Sequence, residues 1–337
     1  MFYKLRAFWG QSFNLPAPHL TEKNLPDQTG KVYLITGGNA GVGYQVVSIL
    51  YGQNAKVYVA ARTEAKARAA IDAIKKAHPK SQGELEYLHL NLSDLSTIKA
   101  SAEDFLSRED KLHWLDNNAG VMVPPKGSKG SQGMDLTYQT NILGPFLFTK
   151  LLLPILKRTA EREPKGTVRV SWAGSLAVEL QSAKSGLVWK KGKDGEVTLD
   201  DNNDNAFAYG TSKAANYFFA TEFGKRLGQR DGVLHTCYNP GNLASELQRH
   251  TSSQYPAVAL WLLHKLLLYP AIFGAYTEIY SGLSPNLTLE KDQGAYIIPW
   301  GRRATSIRPD LLREATKEDG EASKLFDWCE RVTKEYA

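Results

Sequence analysis

The chain has 337 residues, 42% of them hydrophobic and 23% charged, with a formal net charge of +6. That is enough apolar material for a full core, yet no apolar run reaches the ~20 residues of a membrane span. No dense basic run marks a nucleic-acid surface, and no Cys/His cluster has metal-ligand spacing. The two cysteines, Cys237 and Cys329, stand far apart, which fits a reduced, cytoplasmic protein. The basic, aromatic start over residues 1–9 lacks the long apolar stretch and small-residue cleavage site of a secretory signal.

Residues 1–29 read as an arm rich in Pro, Asn and aromatics, ahead of a single domain over 30–337. A strand is predicted over 32–36, ending in Gly37-Gly38-Asn39-Ala40-Gly41-Val42-Gly43, with a helix to about 51. Strand and helix then alternate: strand 56–61, helix 64–76, strand 86–90, helix 95–106 and strand 113–117. The last leads into Asn118-Ala119-Gly120. A helix over 136–156, a strand over 167–172, a helix over 207–227 and a strand over 233–238 complete the series. The alternation predicts a doubly wound parallel sheet of α/β class with helices on both faces. Two stretches break the rhythm. Residues 181–205 form a polar insert with an exposed turn near Lys190-Lys191-Gly192-Lys193-Asp194-Gly195. Within a C-terminal extension, 246–337, the segment 258–280 is apolar and aromatic. It reads as helices packed on the core or as a lid over a hydrophobic substrate pocket. Contact with a membrane surface is less favoured, although residues 260–268 hold only Lys265 as a full charge.

The glycine-rich loop follows a strand and opens a helix, the context in which such a loop binds a dinucleotide. Gly37 permits the tight turn, Gly41 lets backbone N–H groups approach a pyrophosphate, and Gly43 lets helix and sheet pack closely. Tyr209 and Lys213 lie four residues apart on one face of a predicted helix. A lysine there favours the phenolate and makes the tyrosine a usable proton donor or acceptor. Alone, that spacing suits a surface Tyr–Lys pair equally well.

Together, Thr36-Gly37-x-x-x-Gly41-x-Gly43, Asn118-Ala119-Gly120 and Tyr209-x-x-x-Lys213 occur in the order of the short-chain dehydrogenase/reductase family. The chain resembles that family from about Lys31 to Leu247. Asn118-Ala119-Gly120-Val121-Met122, Asn239-Pro240-Gly241-Asn242-Leu243 and the stretch through Pro299-Trp300-Gly301 look like the retinol-dehydrogenase-like branch as found in fungi. The resemblance implies a catalytic set of Asn141, Ser175, Tyr209 and Lys213. Gly174-Ser175-Leu176-Ala177 fits the family's serine pattern, with Ser171 in reserve. In that scheme Ser175 and Tyr209 bond the substrate oxygen and Tyr209 transfers the proton. Lys213 lowers the Tyr209 pKa and binds the nicotinamide ribose, and Asn141 holds a water beside Lys213.

The resemblance also implies cofactor contacts at Gly37, Asn39, Gly41, Val42, Gly43, Asn91, Leu92, Asn118, Ala119, Gly120, Pro240, Gly241 and Leu243. Asn91 stands where the branch usually has Asp near the adenine, and Ser245 stands in for a threonine that touches the carboxamide. At the end of the second strand Ala61 replaces the acid of NAD-preferring members and Arg62 follows, which favours NADP(H). The net positive charge suits such an anionic partner. His235 reads as a strand residue and His264 as lid or surface. The expected activity is NADP(H)-dependent reduction of a hydrophobic, medium-sized ketone or aldehyde, or the reverse oxidation, with a secondary-metabolite or polyketide ketone in view. The alternatives are a retinoid- or steroid-like alcohol dehydrogenase and a non-catalytic NADP(H)-binding regulatory protein. Homo-oligomers through the helices flanking Tyr209 are common in the family.

Overall fold

Unbroken apolar runs such as Val32-Tyr33-Leu34-Ile35 suit strands covered on both faces, and every residue of that run is buried. The computed structural model describes residues 2–192, 195–201, 205–244 and 267–337. Elements run α1 (Phe2–Ser12), β1 (Val32–Thr36), α2 (Gly41–Gly52), β2 (Lys56–Ala61), α3 (Glu64–Ala77), β3 (Glu84–His89), α4 (Leu95–Arg108) and β4 (Trp114–Asn117). Next comes α5, residues 136–160, in which a π turn (Gln139–Leu143) separates Leu136–Tyr138 from Gly144–Ala160. Then follow β5 (Arg169–Ala173), α6 (Ala177–Leu180), β6 (Trp189–Lys191), β7 (Val197–Leu199), α7 (Asn205–Phe223) and β8 (Leu234–Tyr238). The chain closes with α8 (Ala271–Leu283), β9 (Ala295–Ile298), β10 (Arg302–Arg303), α9 (Pro309–Thr316) and α10 (Glu321–Thr333).

The main sheet has the order β10-β9-β8-β5-β4-β1-β2-β3. Every pairing in it is parallel except β10 with β9. This is the doubly wound arrangement expected of the sequence. Strand order reverses between β1 and β4, so a crevice opens beyond their C-terminal ends. One face carries a core in which Trp172 packs on Phe219 and Phe223 at ring separations of 5.1 and 5.4 Å. The other face holds α2, α3 and α8 through Val46, Val47, Ile71 and Ile279. Among the described residues, no helix is long and apolar enough to cross a membrane.

Three details differ from the sequence expectation. The arm begins with helix α1, whose last turn is buried. The polar insert contains a two-stranded antiparallel hairpin, β6–β7, in which Trp189 faces Leu199. Strand β3 starts at Glu84 and ends at His89, because it pairs residue by residue with β2 from Lys56 to Ala61. Of the apolar segment 258–280, residues 267–280 are described. Their helical part, in α8, is core packing: Ala275 and Ile279 are fully buried. The rest of the segment, residues 258–266 with His264, lies outside the described residues.

Helix α8 is fastened to the sheet by the buried guanidinium of Arg169. It donates to the carbonyls of Gly166, Ser281, Ser284 and Leu287 at 2.8, 3.2, 2.7 and 3.2 Å. An Arg169→Met variant leaves these carbonyls without that donor. It should lose about 3 kcal/mol or more of stability, read as a lower midpoint in thermal or urea unfolding. An unchanged midpoint would show that the staple is dispensable.

Candidate active site

Where β1 ends, Thr36 ties two loops together. Its hydroxyl donates to the Asp116 carbonyl at 3.0 Å and accepts from the Ala119 N–H at 3.0 Å. Its own carbonyl accepts from Asn118 Nδ2 at 2.7 Å. The loop after β1 and the loop after β4 are thus locked side by side at the point where strand order reverses. Gly37 and Gly41 have φ of +68° and +57°, a region that disfavours residues with a Cβ. A Cβ at Gly43 would lie 2.5 Å from Asn118 Nδ2, so only glycine allows this approach of α2 to the Asn118 loop. A Cβ at Gly41 would meet nothing within 4 Å. Ala40 gives α2 no side-chain cap, and its first turn carries no acid. The helix therefore presents free N–H groups and a partial positive charge to an open space, a setting that fits a pyrophosphate.

Two of the four residues expected to be catalytic, Asn141 and Lys213, meet beside the Asn118-Ala119-Gly120 loop. A Cβ on Gly120 would lie 3.1 Å from Asn141 Oδ1 and 3.5 Å from Lys213 Nζ. Asn141 accepts from the Val121 N–H at 2.8 Å and donates to the Val121 carbonyl at 2.9 Å and to Ser212 Oγ at 3.0 Å. Its side chain is fully used in fixing the loop to α7. Asn141 sits in the π turn, just ahead of Pro145.

Lys213 is buried and donates to the Ala173 carbonyl at 2.8 Å, an acceptor it shares with Asn216 Nδ2. Its ammonium lies 5.6 Å from the centre of the Tyr209 ring. Burial pulls the Lys213 pKa down to about 8, with electrostatic interactions with Cys237 and Glu278 opposing. Tyr209 is pushed up to about 12, first by burial, against the lowering effect of a hydrogen bond with Ser175. The sequence expectation had Lys213 lowering the Tyr209 pKa. In this geometry burial is the largest influence on Tyr209 and raises it.

Ser175 is half-buried, its Oγ accepts from the Ala177 N–H at 3.2 Å, and the Tyr296 hydroxyl donates to its carbonyl at 2.8 Å. Ser171, the reserve residue, points elsewhere: it is fully buried, accepts from Trp114 Nε1 at 2.9 Å and pairs with Ser281 at 3.0 Å. Arg62 is exposed just past β2, and Asn91 Oδ1 accepts from Ser93 Oγ at 2.7 Å to hold the turn after β3. Leu92 is buried, and Asn39, Val42 and Pro240 are half-buried at the rim of the crevice. Gly241 has φ of +97° and its α-carbon faces the Trp300 ring. Leu243 bridges to Tyr269. His235 is a fully buried strand residue. Ser245 lies outside the described residues.

A family model described as short chain dehydrogenase matches residues 31–177. A short-chain dehydrogenase/reductase of Phomopsis amygdali is 44% identical, with 99% of this chain and 98% of that one covered. The chain belongs to the short-chain dehydrogenase/reductase family. A second member, bet4 of Neocamarosporium betae, is 40% identical over 98% of this chain and 94% of its own. The fold alone is shared with the Pseudomonas aeruginosa RhlG/NADP complex, at 22% identity and a TM-score of 0.61 over 80% of this chain and 95% of that one. Similarity to the two fungal reductases runs past the catalytic motifs into both terminal regions.

Sequence reasoning missed several supporting residues of this family member. Ser212 lies inside the Tyr209–Lys213 spacing, one position before the lysine, and its hydroxyl links Asn141 to the Tyr209 carbonyl at 2.8 Å. Gln11 of α1 donates to Glu179 at 2.6 Å and accepts from Asn239 Nδ2 at 2.8 Å. Asn242 Nδ2 donates to Ser12 Oγ at 2.9 Å. Helix α1 thereby joins the segment after Ser175 to the Pro240-Gly241 loop. No local signal marks Gln11, since its partners lie 168 and 228 residues away.

A lysine whose pKa falls on folding opposes folding at any pH where it must be charged. For Lys213 that cost is full below about pH 8 and fades as pH rises toward the free value of 10.5. A Lys213→Met variant should therefore be more stable than wild type at pH 7, by on the order of 1–3 kcal/mol, with the gain shrinking between pH 8 and 10.5. Melting curves at a series of pH values check this, and a variant less stable at pH 7 contradicts it.

Proposed function

We propose that the chain is an NADP(H)-dependent oxidoreductase that reduces the ketone or aldehyde of a hydrophobic, medium-sized substrate, or oxidises the corresponding alcohol. The observation that carries this reading is the Tyr209 hydroxyl within hydrogen-bonding reach of Ser175, with Lys213 beside it, at the same C-terminal edge of the sheet as the open N-terminus of α2. Bound at the Gly37–Gly43 loop and the Asn118-Ala119-Gly120 loop, a nicotinamide dinucleotide supplies hydride chemistry.

The protein's own groups then have distinct tasks. Ser175 Oγ and the Tyr209 hydroxyl donate to the substrate oxygen. Burial keeps the proton on Tyr209 until an alkoxide, a stronger base than the phenolate, develops beside it. Lys213 then offsets the charge left on Tyr209. Asn141, by the family resemblance, holds a water that returns a proton through Lys213. Arg62, with Ala61 in place of an acid, favours a 2′-phosphate. Tyr269, Phe273 and Trp300 pack together at ring separations of 5.0 to 6.2 Å beside Gly241, and this aromatic wall suits an apolar substrate. We favour a secondary-metabolite ketone, such as a polyketide, in keeping with the fungal relatives.

Tyr209→Phe should lower turnover by about 10²–10⁴-fold on a carbonyl panel followed by NADPH absorbance, while NADPH still binds. Unchanged turnover would remove Tyr209 from the mechanism. The same panel should show wild type preferring NADPH to NADH, with Arg62→Ala raising KM for NADPH far more than for NADH. Equal use of both cofactors by wild type would overturn the role of Arg62.

A further inference from the structure

Strand β4 reads Trp-Leu-Asp-Asn and helix α8 reads Ala-Ile-Phe-Gly-Ala-Tyr-Thr-Glu-Ile-Tyr-Ser-Gly-Leu. Each holds one ionisable carboxyl, Asp116 in β4 and Glu278 in α8. Both have no solvent exposure. Carboxyl groups are rarely buried unless paired, and here the two face each other within hydrogen-bonding reach, with Asp116 Oδ2 and both Glu278 oxygens lacking any other donor among the described residues. The hydroxyl of Tyr238, at the end of β8 and equally buried, donates to Asp116 Oδ1 at 2.9 Å. Apart from that hydroxyl, the two carboxyls find no other hydrogen-bonding partner among the described residues.

Two carboxylates in contact away from water cannot both stay ionised, whereas one proton between them gives each a hydrogen bond. The result is a buried unit with one negative charge. Lys213 is the cation whose charge acts on Glu278, and Glu278 acts on Lys213 in turn. Other titratable groups bear on these sites. Cys237 of β8 lies near Lys213, but burial keeps its thiol protonated. Tyr209, on the lysine's own helix, holds its proton to about pH 12, and burial pushes Tyr238 well up. None of the three supplies an anion near neutral pH.

We infer that Asp116 and Glu278 share one proton and act as the buried counter-charge that keeps Lys213 protonated. This rests on Lys213 working as proposed above, and it makes the carboxyl pair a positioning element that touches neither substrate nor cofactor. Burial raises the Asp116 carboxyl, so the pair takes up its second proton only on the acid side. The negative charge is therefore present on the alkaline side, where Lys213 would otherwise lose its proton.

Amide substitutions separate the charge from the shape. In Asp116→Asn or Glu278→Gln, an amide N–H replaces the shared proton and the remaining carboxylate keeps the charge. The double variant removes the charge with little change in shape. The alkaline limb of turnover against pH should stay put in each single variant and move down by roughly one unit in the double, about a tenfold loss on the limb. NADPH binding, followed by tryptophan fluorescence across the same pH range, should move in parallel. Infrared spectra at pH 8 should show a protonated-carboxyl band in wild type that both single variants lack. A cooperatively melting double variant with the wild-type limb overturns the proposal, as do single variants that shift as far as the double. If the double variant does not fold, absence of the infrared band from wild type still overturns it. If wild type binds NADPH but reduces no carbonyl, the functional reading fails instead, and the binding limb and infrared band still judge the pair.

Discussion

The carbonyl of Ala173, the last residue of β5, takes two side-chain donors at the C-terminal end of the sheet. Lys213 Nζ and Asn216 Nδ2, both at 2.8 Å, supply them from α7. An unsatisfied carbonyl at this depth costs about 1–3 kcal/mol, so the two donors are held where the strand ends. That requirement sets the position of Lys213. It also sets α7 against the sheet, with Tyr209 one turn earlier and Ser175 two residues beyond the carbonyl. Thr36 answers the same need at the end of β1, where its carbonyl takes Asn118 and its hydroxyl takes the Ala119 N–H. The site grows from the places where parallel strands run out of hydrogen-bond partners, which is why it lies at their C-terminal ends.

Burial then gives those groups their electrostatic character. A lysine and a tyrosine in water differ little in pKa. Here burial drives them apart, Lys213 down to about 8 and Tyr209 up to about 12. The lysine is brought toward neutrality while the phenol keeps its proton for a strong base. The carboxyl pair on the far side of the sheet opposes the fall of Lys213, and Arg169 fixes the helix that carries Glu278. Stability and site chemistry therefore meet in α8, a helix placed by core packing and by one buried guanidinium.

Helix α1 shows a different dependence. Taken by itself, the segment is a polar and aromatic arm with little reason to stay ordered. Gln11 and Ser12 become buried only because Glu179, Asn239 and Asn242 converge there from two loops that follow β5 and β8. Exposed Phe2, Leu5 and Trp9 occupy its outer side. The two loops it joins carry Ser175 at one end and Pro240-Gly241 at the other, so the N-terminal helix braces both against each other.

Local pattern in the chain was enough for the alternation of strand and helix between residues 32 and 238, the doubly wound sheet and the glycine loop. Those follow from local periodicity, short apolar runs and backbone needs at single positions, such as the positive φ of Gly37. It also placed Tyr209 and Lys213 on one helical face, because that spacing is a property of the helix alone. Tertiary structure decided the rest. Ser175 rather than Ser171 faces Tyr209, since Ser171 is spent on Trp114 and Ser281 across the sheet. The Tyr209 pKa rises rather than falls, because desolvation depends on everything packed around the ring. Gln11, Asp116 and Glu278 gained their roles from partners far away in sequence, and no local pattern encodes a contact between a strand, a distant helix and a buried charge.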